Sequence, residues 1–229
     1  LDSIRGQWDY IEPVLFGYAA GQVIESFIKW NVENDENIVA HFHEWMTGSG
    51  VLYLKENCPQ IATAFTTHAT YLGRAISGNG LALYNDLTTF EPNTMAARFN
   101  ITSQQSMEYN AAQNADAFTT VSEVTAEECK QFLHREADVI TINGINDSYI
   151  LDEKTAAEKR SASRTKILSI LETLSGTKVA DDAFMIVNSG RYEFKNKGID
   201  LFINALGKLN REGNLKKDVV AVIAVPANI

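Results

Sequence analysis

Short runs of β-branched and aromatic residues alternate with longer stretches of helical periodicity, and this alternation restricts the chain to βαβ units around a parallel sheet. The strand candidates are Ile38–Phe42, Ile61–Thr66, Ala117–Val121, Val139–Ile142, Phe184–Val187 and Val219–Val225. Helical periodicity covers Pro13–Trp30, Thr47–Glu56, Gln104–Asn114, Glu123–His134, Thr155–Leu174 and Gly198–Arg211. The expected fold class is therefore α/β. The sequence holds no internal repeat and no low-complexity tract.

Turn residues Gly144, Asn146 and Asp147 break the pattern near Asn143–Asp152. This places a domain boundary there, with 1–146 and 147–229 on either side. Only two strands follow the boundary, too few for an independent parallel sheet, so the second domain is expected to be incomplete at its C-terminal end. The helix near Pro13 lacks a preceding strand to pack against, which leads us to expect a middle piece of a longer protein. The stretch Gly73 to Asn100, with Gly78, Gly80 and Pro92 among scattered aromatics, is long for a connection and is expected to be a functional loop or lid.

At 229 residues and 45% hydrophobic content, the chain can bury substantial cores as one large or two small domains. A net charge of -9 gives no global basic field to attract nucleic acid or an anionic membrane, so neither is an expected partner. No apolar run reaches the length of about 18 residues that a membrane helix needs. Cys58 and Cys129 lack zinc or disulfide spacing, which suits a reducing, cytoplasmic setting.

Ligands of open parallel sheets bind beyond the carboxyl ends of the strands. Those positions are polar here: His43-Glu44 after the first strand, Thr67-His68 and then Arg74 after the second, Ser122 after the third and Asn143 after the fourth. Neighbouring strands would bring His43, Glu44, His68, Ser122 and Asn143 to a single rim. One alternative is a metal site built from His41 and His43 with Glu44 or His68. Another is a hydrolase using Ser122, His68 and Glu44 or Glu123. It lacks the Gly-x-Ser-x-Gly elbow, and Ser122 reads better as a helix cap, with Glu123, Glu127 and Glu128 favouring the positive helix end. His68 could also be a hydrogen-bonded structural histidine, although Thr66, Thr67, Thr70 and Arg74 offer a sugar hydroxyl partners beside it.

A second constellation lies in the run Gly190 to Gly198, between the strand ending near Val187 and the helix beginning near Ile199. Arg191 and Lys197, six residues apart at a strand-to-helix turn, form a candidate clamp for a diphosphate. The plain alternative is a solvated turn.

Five ordered motifs together resemble the glycogen synthase family, in its eukaryotic-type branch: His41-Phe42-His43-Glu44-Trp45, Phe65 through Arg74, Phe118 through Ser122, Asn143 through Asn146, and Gly190 through Gly198. The resemblance implies a retaining glucosyltransferase of the GT-B type, with Rossmann-like parallel sheets in two domains, both incomplete in this sequence. Residues 1–146 would be the later part of the acceptor-side domain and 147–229 the opening of the nucleotide-side domain. UDP-glucose would be the donor and an α-1,4-glucan the acceptor, with no metal or other cofactor and with homo-oligomers possible. The resemblance assigns catalytic roles to His68, Arg191 and Lys197. It assigns substrate contacts to His43, Glu44, Arg74, Asn143 and Glu193. Ile142 departs from the proline common before Asn-Gly, and neither the glycine-rich donor loop nor the C-terminal glutamate segment of the family is found. The sequence as given is expected to be inactive alone. Other readings are a different glycosyltransferase of this architecture, such as a sucrose or trehalose phosphate synthase, or a non-catalytic glycan-binding module.

Overall fold

Phe42, Phe65 and Phe118 occupy matching positions on three adjacent parallel strands, and the rings of Phe65 and Phe118 stack with centroids 6.1 Å apart. All three side chains are buried, so this ladder anchors one face of the sheet. In the computed structural model, which describes residues 1–32 and 36–226, the chain divides into two units, Leu1–Asn143 and Gly144–Ile229.

In the first unit, strands β1 (Val39–His43), β2 (Ala62–Thr67), β3 (Ala117–Thr120) and β4 (Val139–Ile140) run parallel in the order β1-β2-β3-β4. Helices α1 (Trp8–Asn31), α2 (Gly48–Asn57), α3 (Tyr71–Gly78), α4 (Pro92–Arg98), α5 (Thr102–Asn114) and α6 (Glu123–Leu133) connect and cover them. The core gathers Ala40, Phe42, Val51, Leu54, Phe65, Ala111, Phe118 and Leu133. Along β1 burial alternates, so His41 and His43 point to an open face while Ala40 and Phe42 face the core. The sheet's lower edge is tied by Asp116, which accepts from Thr63 N at 2.7 Å and pairs with Lys55 at 2.6 Å.

Two sequence expectations are corrected here. Helix α1 starts at Trp8 rather than near Pro13, which lies inside it. The extra turn buries Tyr10 to 2% exposure and stacks its ring on Trp45, and that packing outweighs the preference of proline for a helix start. The stretch Gly73–Asn100 is not an open loop but includes most of α3 and all of α4. Leu72, Ile76, Leu83, Met95 and Phe132 give it a core of its own. Its apparent breakers are boundary residues. Gly78 ends α3, Gly80 takes φ 78, and Pro92 opens α4 behind the Glu91 side chain, which accepts from Asn93 N and Thr94 N.

The second unit packs α7 (Glu153–Ser175) and α8 (Ile199–Glu212) with a two-stranded parallel sheet, β5 (Phe184–Ser189) and β6 (Val219–Ala224). Its core is small, centred on Leu168, Ala183 and Val220. Among the described residues, no helix is long and apolar enough to cross a membrane.

Candidate functional site

Parallel pairing of β1, β2 and β3 in register brings the ends of these strands side by side, and the polar residues beyond them cluster for that reason. His43 ends β1. Its Nδ1 lies 3.1 Å from Nε2 of His68, which follows β2 directly. His41, two residues back on the same face, stacks near His43 at 4.2 Å between ring centroids. It is exposed rather than buried, and its Nε2 sits 2.7 Å from Thr66 Oγ1, itself 2.6 Å from Thr119 Oγ1. Partial burial, followed by the charges of His41 and His68, lowers the His43 pKa below its usual 6.5. His43 is therefore a neutral imidazole at pH 7, able to accept as well as donate.

Glu44 turns the chain out of β1 at φ 64 and ψ 160, a conformation that is nearly glycine's alone. Its backbone N donates to Thr66 O at 2.9 Å, and its Oε1 accepts the backbone N–H of His68 at 3.1 Å. His43, Glu44 and His68 are thus joined into one cluster. Arg74 lies on α3, just past this turn, with its backbone N on Thr70 O at 3.0 Å. Ser122 reaches the next strand end as a cap for α6, accepting from Thr125 N at 3.2 Å. Its hydroxyl is committed there, which argues against the hydrolase alternative. Asn143 is exposed beyond β4, the last residue of the first unit. Among the described residues, no three histidine, cysteine or acidic side chains converge in a geometry that could hold a metal ion.

The other candidates belong to the second unit, on the turn between β5 and α8. Arg191 Nη2 pairs with Glu193 Oε1 at 2.9 Å while its side chain remains 61% exposed. Lys197 is exposed, and its stem folds back towards Gly190, where an added Cβ would lie 3.6 Å from Lys197 Cδ. Gly198 caps α8 at φ 62 with open space around it, so its role is conformational freedom rather than close packing.

Sequence reasoning missed two residues. Glu108 on α5 is fully buried, and its Oε2 accepts Tyr71 N at 2.9 Å. Glu128 on α6 is 5% exposed and accepts from Thr70 Oγ1 at 2.5 Å and Tyr84 Oη at 2.8 Å. It therefore serves the turn after β2 rather than the positive end of its own helix. A signal existed in each case. Glu108 shares the buried stripe of Met107, Ala111 and Ala112, and Glu128 that of Thr125, Cys129 and Phe132.

Comparison with known proteins adds the family context. A family model described as glycogen synthase matches residues 7–229. The chain is similar to a glycogen [starch] synthase of Dictyostelium discoideum, 34% identical over 227 residues, covering 94% of this chain and 25% of that protein. It is similar to the Caenorhabditis elegans glycogen [starch] synthase, 34% identical over 226 residues, covering 94% of this chain and 34% of the relative. Isoform 2 of the Saccharomyces cerevisiae enzyme is 34% identical over 237 residues, covering 99% of this chain and 33% of the relative. The chain thus spans between a quarter and about a third of the length of these curated relatives.

Proposed function

Because this chain belongs to the glycogen synthase family, we propose that it is part of a retaining glucosyltransferase that moves glucose from UDP-glucose to the nonreducing end of an α-1,4-glucan. The observation that carries the reading is the cluster of His43, Glu44 and His68 at the carboxyl ends of parallel strands, where α/β sheets receive their ligands. In this proposal His68 contacts the donor glucose, and its backbone carbonyl faces the anomeric carbon as positive charge develops. His43, Glu44 and Asn143 line the sugar side, Arg74 lies near the donor phosphates, and Glu193 contributes through the same turn as the cations.

Arg191 and Lys197 would hold the diphosphate and neutralise the charge that grows on departing UDP. Arg191 is engaged by Glu193 at 2.9 Å, so binding the donor exchanges one anionic partner for another. Fixed cations supply the electrostatic help that a metal gives in other transferases, and the proposal includes no cofactor. A two-domain GT-B architecture, a cytoplasmic setting, possible homo-oligomers and no nucleic-acid or membrane partner belong to the same reading.

The test uses the full-length protein with UDP-glucose and a glucan acceptor, following UDP release. Consumption of UDP-glucose with glucan elongation is expected, and no consumption overturns the reading. Arg191→Ala is expected to lower kcat about 10²-fold or more, the usual cost of losing a charge-stabilising donor. An unchanged rate removes Arg191 from the mechanism.

A further inference from the structure

Four of the five residues from Thr67 to Tyr71 are held by carboxyl groups from three separate parts of the first unit. Glu44, after β1, accepts His68 N at 3.1 Å. Glu108, on α5, accepts Tyr71 N at 2.9 Å and makes a long contact of 3.5 Å with Thr67 Oγ1. Glu128, on α6, accepts Thr70 Oγ1 at 2.5 Å, and the same hydroxyl accepts Gly73 N at 3.0 Å to cap α3. Space here is tight: a Cβ on Gly73 would sit 2.3 Å from Glu128 Oε2 and 2.6 Å from Thr70 Oγ1.

Burying carboxyl groups is costly unless hydrogen bonds compensate, and two of these are almost wholly inaccessible. A core requiring only stability would place apolar residues at 108 and 128, as it does at the adjoining Met107 and Cys129. What the carboxyls supply instead is acceptors directed at backbone and hydroxyl donors of one short segment, which fixes its conformation. That segment carries His68. On the reading that His68 meets the donor sugar, we propose that Glu108 and Glu128, with Glu44, are positioning residues that hold the 67–73 turn so that His68 keeps one orientation at the rim.

The test compares full-length wild type with Glu108→Leu, Glu108→Gln and Tyr84→Phe. Three quantities are read: deuterium exchange in the peptide spanning residues 67–73, kcat with UDP-glucose and glucan, and affinity for UDP, which lacks the sugar. Glu108→Leu leaves Tyr71 N without its acceptor. It is expected to speed exchange in that peptide and lower kcat by about 10-fold to 10²-fold, as small misplacements of reacting groups do. UDP affinity should fall less than kcat, because the clamp proposed for the diphosphate, Arg191 and Lys197, lies on the separate turn between β5 and α8 and only Arg74 adjoins this one. Glu108→Gln, whose amide oxygen still accepts from Tyr71 N, should recover most of both losses.

A merely structural Glu108 predicts a lowered melting temperature with kcat per folded molecule intact, and that result overturns the proposal. Unchanged exchange in Glu108→Leu also overturns it. Should Glu108→Leu not fold, Tyr84→Phe decides, because Tyr84 is 59% exposed and its hydroxyl donates to Glu128 at 2.8 Å. Faster exchange with lower kcat is expected, and no change in either overturns the proposal. If wild type itself consumes no UDP-glucose, the glucosyl-transfer reading falls separately, while the exchange data still decide whether the carboxyls hold the turn.

Discussion

Replacing Glu44 by glycine should leave the protein more stable than replacing it by alanine, the reverse of the usual order. At φ 64 and ψ 160 a residue with a Cβ carries backbone strain of about 1–3 kcal/mol that glycine does not. Against this, glycine gains conformational freedom in the unfolded chain, at a cost of roughly 0.5–1 kcal/mol relative to alanine. At the middle of each range the difference leaves Glu44→Gly ahead of Glu44→Ala by about 1 kcal/mol. Both variants lose the His68 N to Glu44 hydrogen bond at 3.1 Å, a bond to a charged acceptor worth about 1.5–3 kcal/mol at most. That loss is common to the two and cancels in the comparison. Both also keep the backbone bond from residue 44 N to Thr66 O.

Urea unfolding followed by tryptophan fluorescence measures the difference. Trp45 is 6% exposed, stacked on Tyr10 and one residue from the substitution, whereas Trp8 and Trp30 are 66% and 78% exposed, so the change in signal reports this region. Alanine equal to or more stable than glycine would show that the backbone at 44 is unstrained and refute the reasoning. Activity should not follow stability here: both variants remove the His68 tether, so kcat should fall in both.

Gly198→Ala places a Cβ at φ 62 without crowding any neighbour, so thermal melting should show the left-handed cost of about 1–2 kcal/mol less the roughly 0.5–1 kcal/mol that alanine saves in the unfolded chain; a variant more stable than wild type would contradict the αL assignment. Glu108 gives a pH prediction: burial first, then the Glu44 and Glu128 carboxyls, push its pKa up to about 8 against the Tyr71 N–H and Thr67 hydroxyl, which lower it. Because the folded pKa lies above the unfolded value, the folded state binds the extra proton. Its stabilising contribution is complete below about pH 4 and is lost as pH rises through about 8. Urea midpoints measured from pH 5 to 8 should therefore fall more steeply in wild type than in Glu108→Gln, and equal slopes would refute the assignment of a neutral buried acid.

Much of the architecture was legible because it is written in local periodicity. Runs of β-branched and aromatic residues at Ile38–Phe42, Ile61–Thr66 and Val219–Val225 marked strands that form at Val39–His43, Ala62–Thr67 and Val219–Ala224, and parallel order then followed from the helices between them. His43, Glu44 and His68 could be grouped in advance because a strand end is a position in sequence as well as in space. The stretch 73–100 was misread because Gly78, Gly80 and Pro92 punctuate helices as readily as they break them. Only the apolar cluster around Leu72 and Met95 decides between these uses.

Outside the stretch that holds α3 and α4, the sequence by itself determined the order of strands and helices, the parallel sheet and the polar identity of its rim, since each depends on neighbours two to four residues apart. Tertiary structure alone decided that Glu108 and Glu128 meet the His68 turn and that Glu44 takes a glycine-like backbone. Their partners lie far away along the chain: Glu44 and His68 are 24 residues apart, Glu108 and Tyr71 37, and Glu128 and Thr70 58. The helical stripe that each carboxyl shares marks it as facing inward, but which distant donors it meets there depends on the segments that fold over it, and no local pattern carries that.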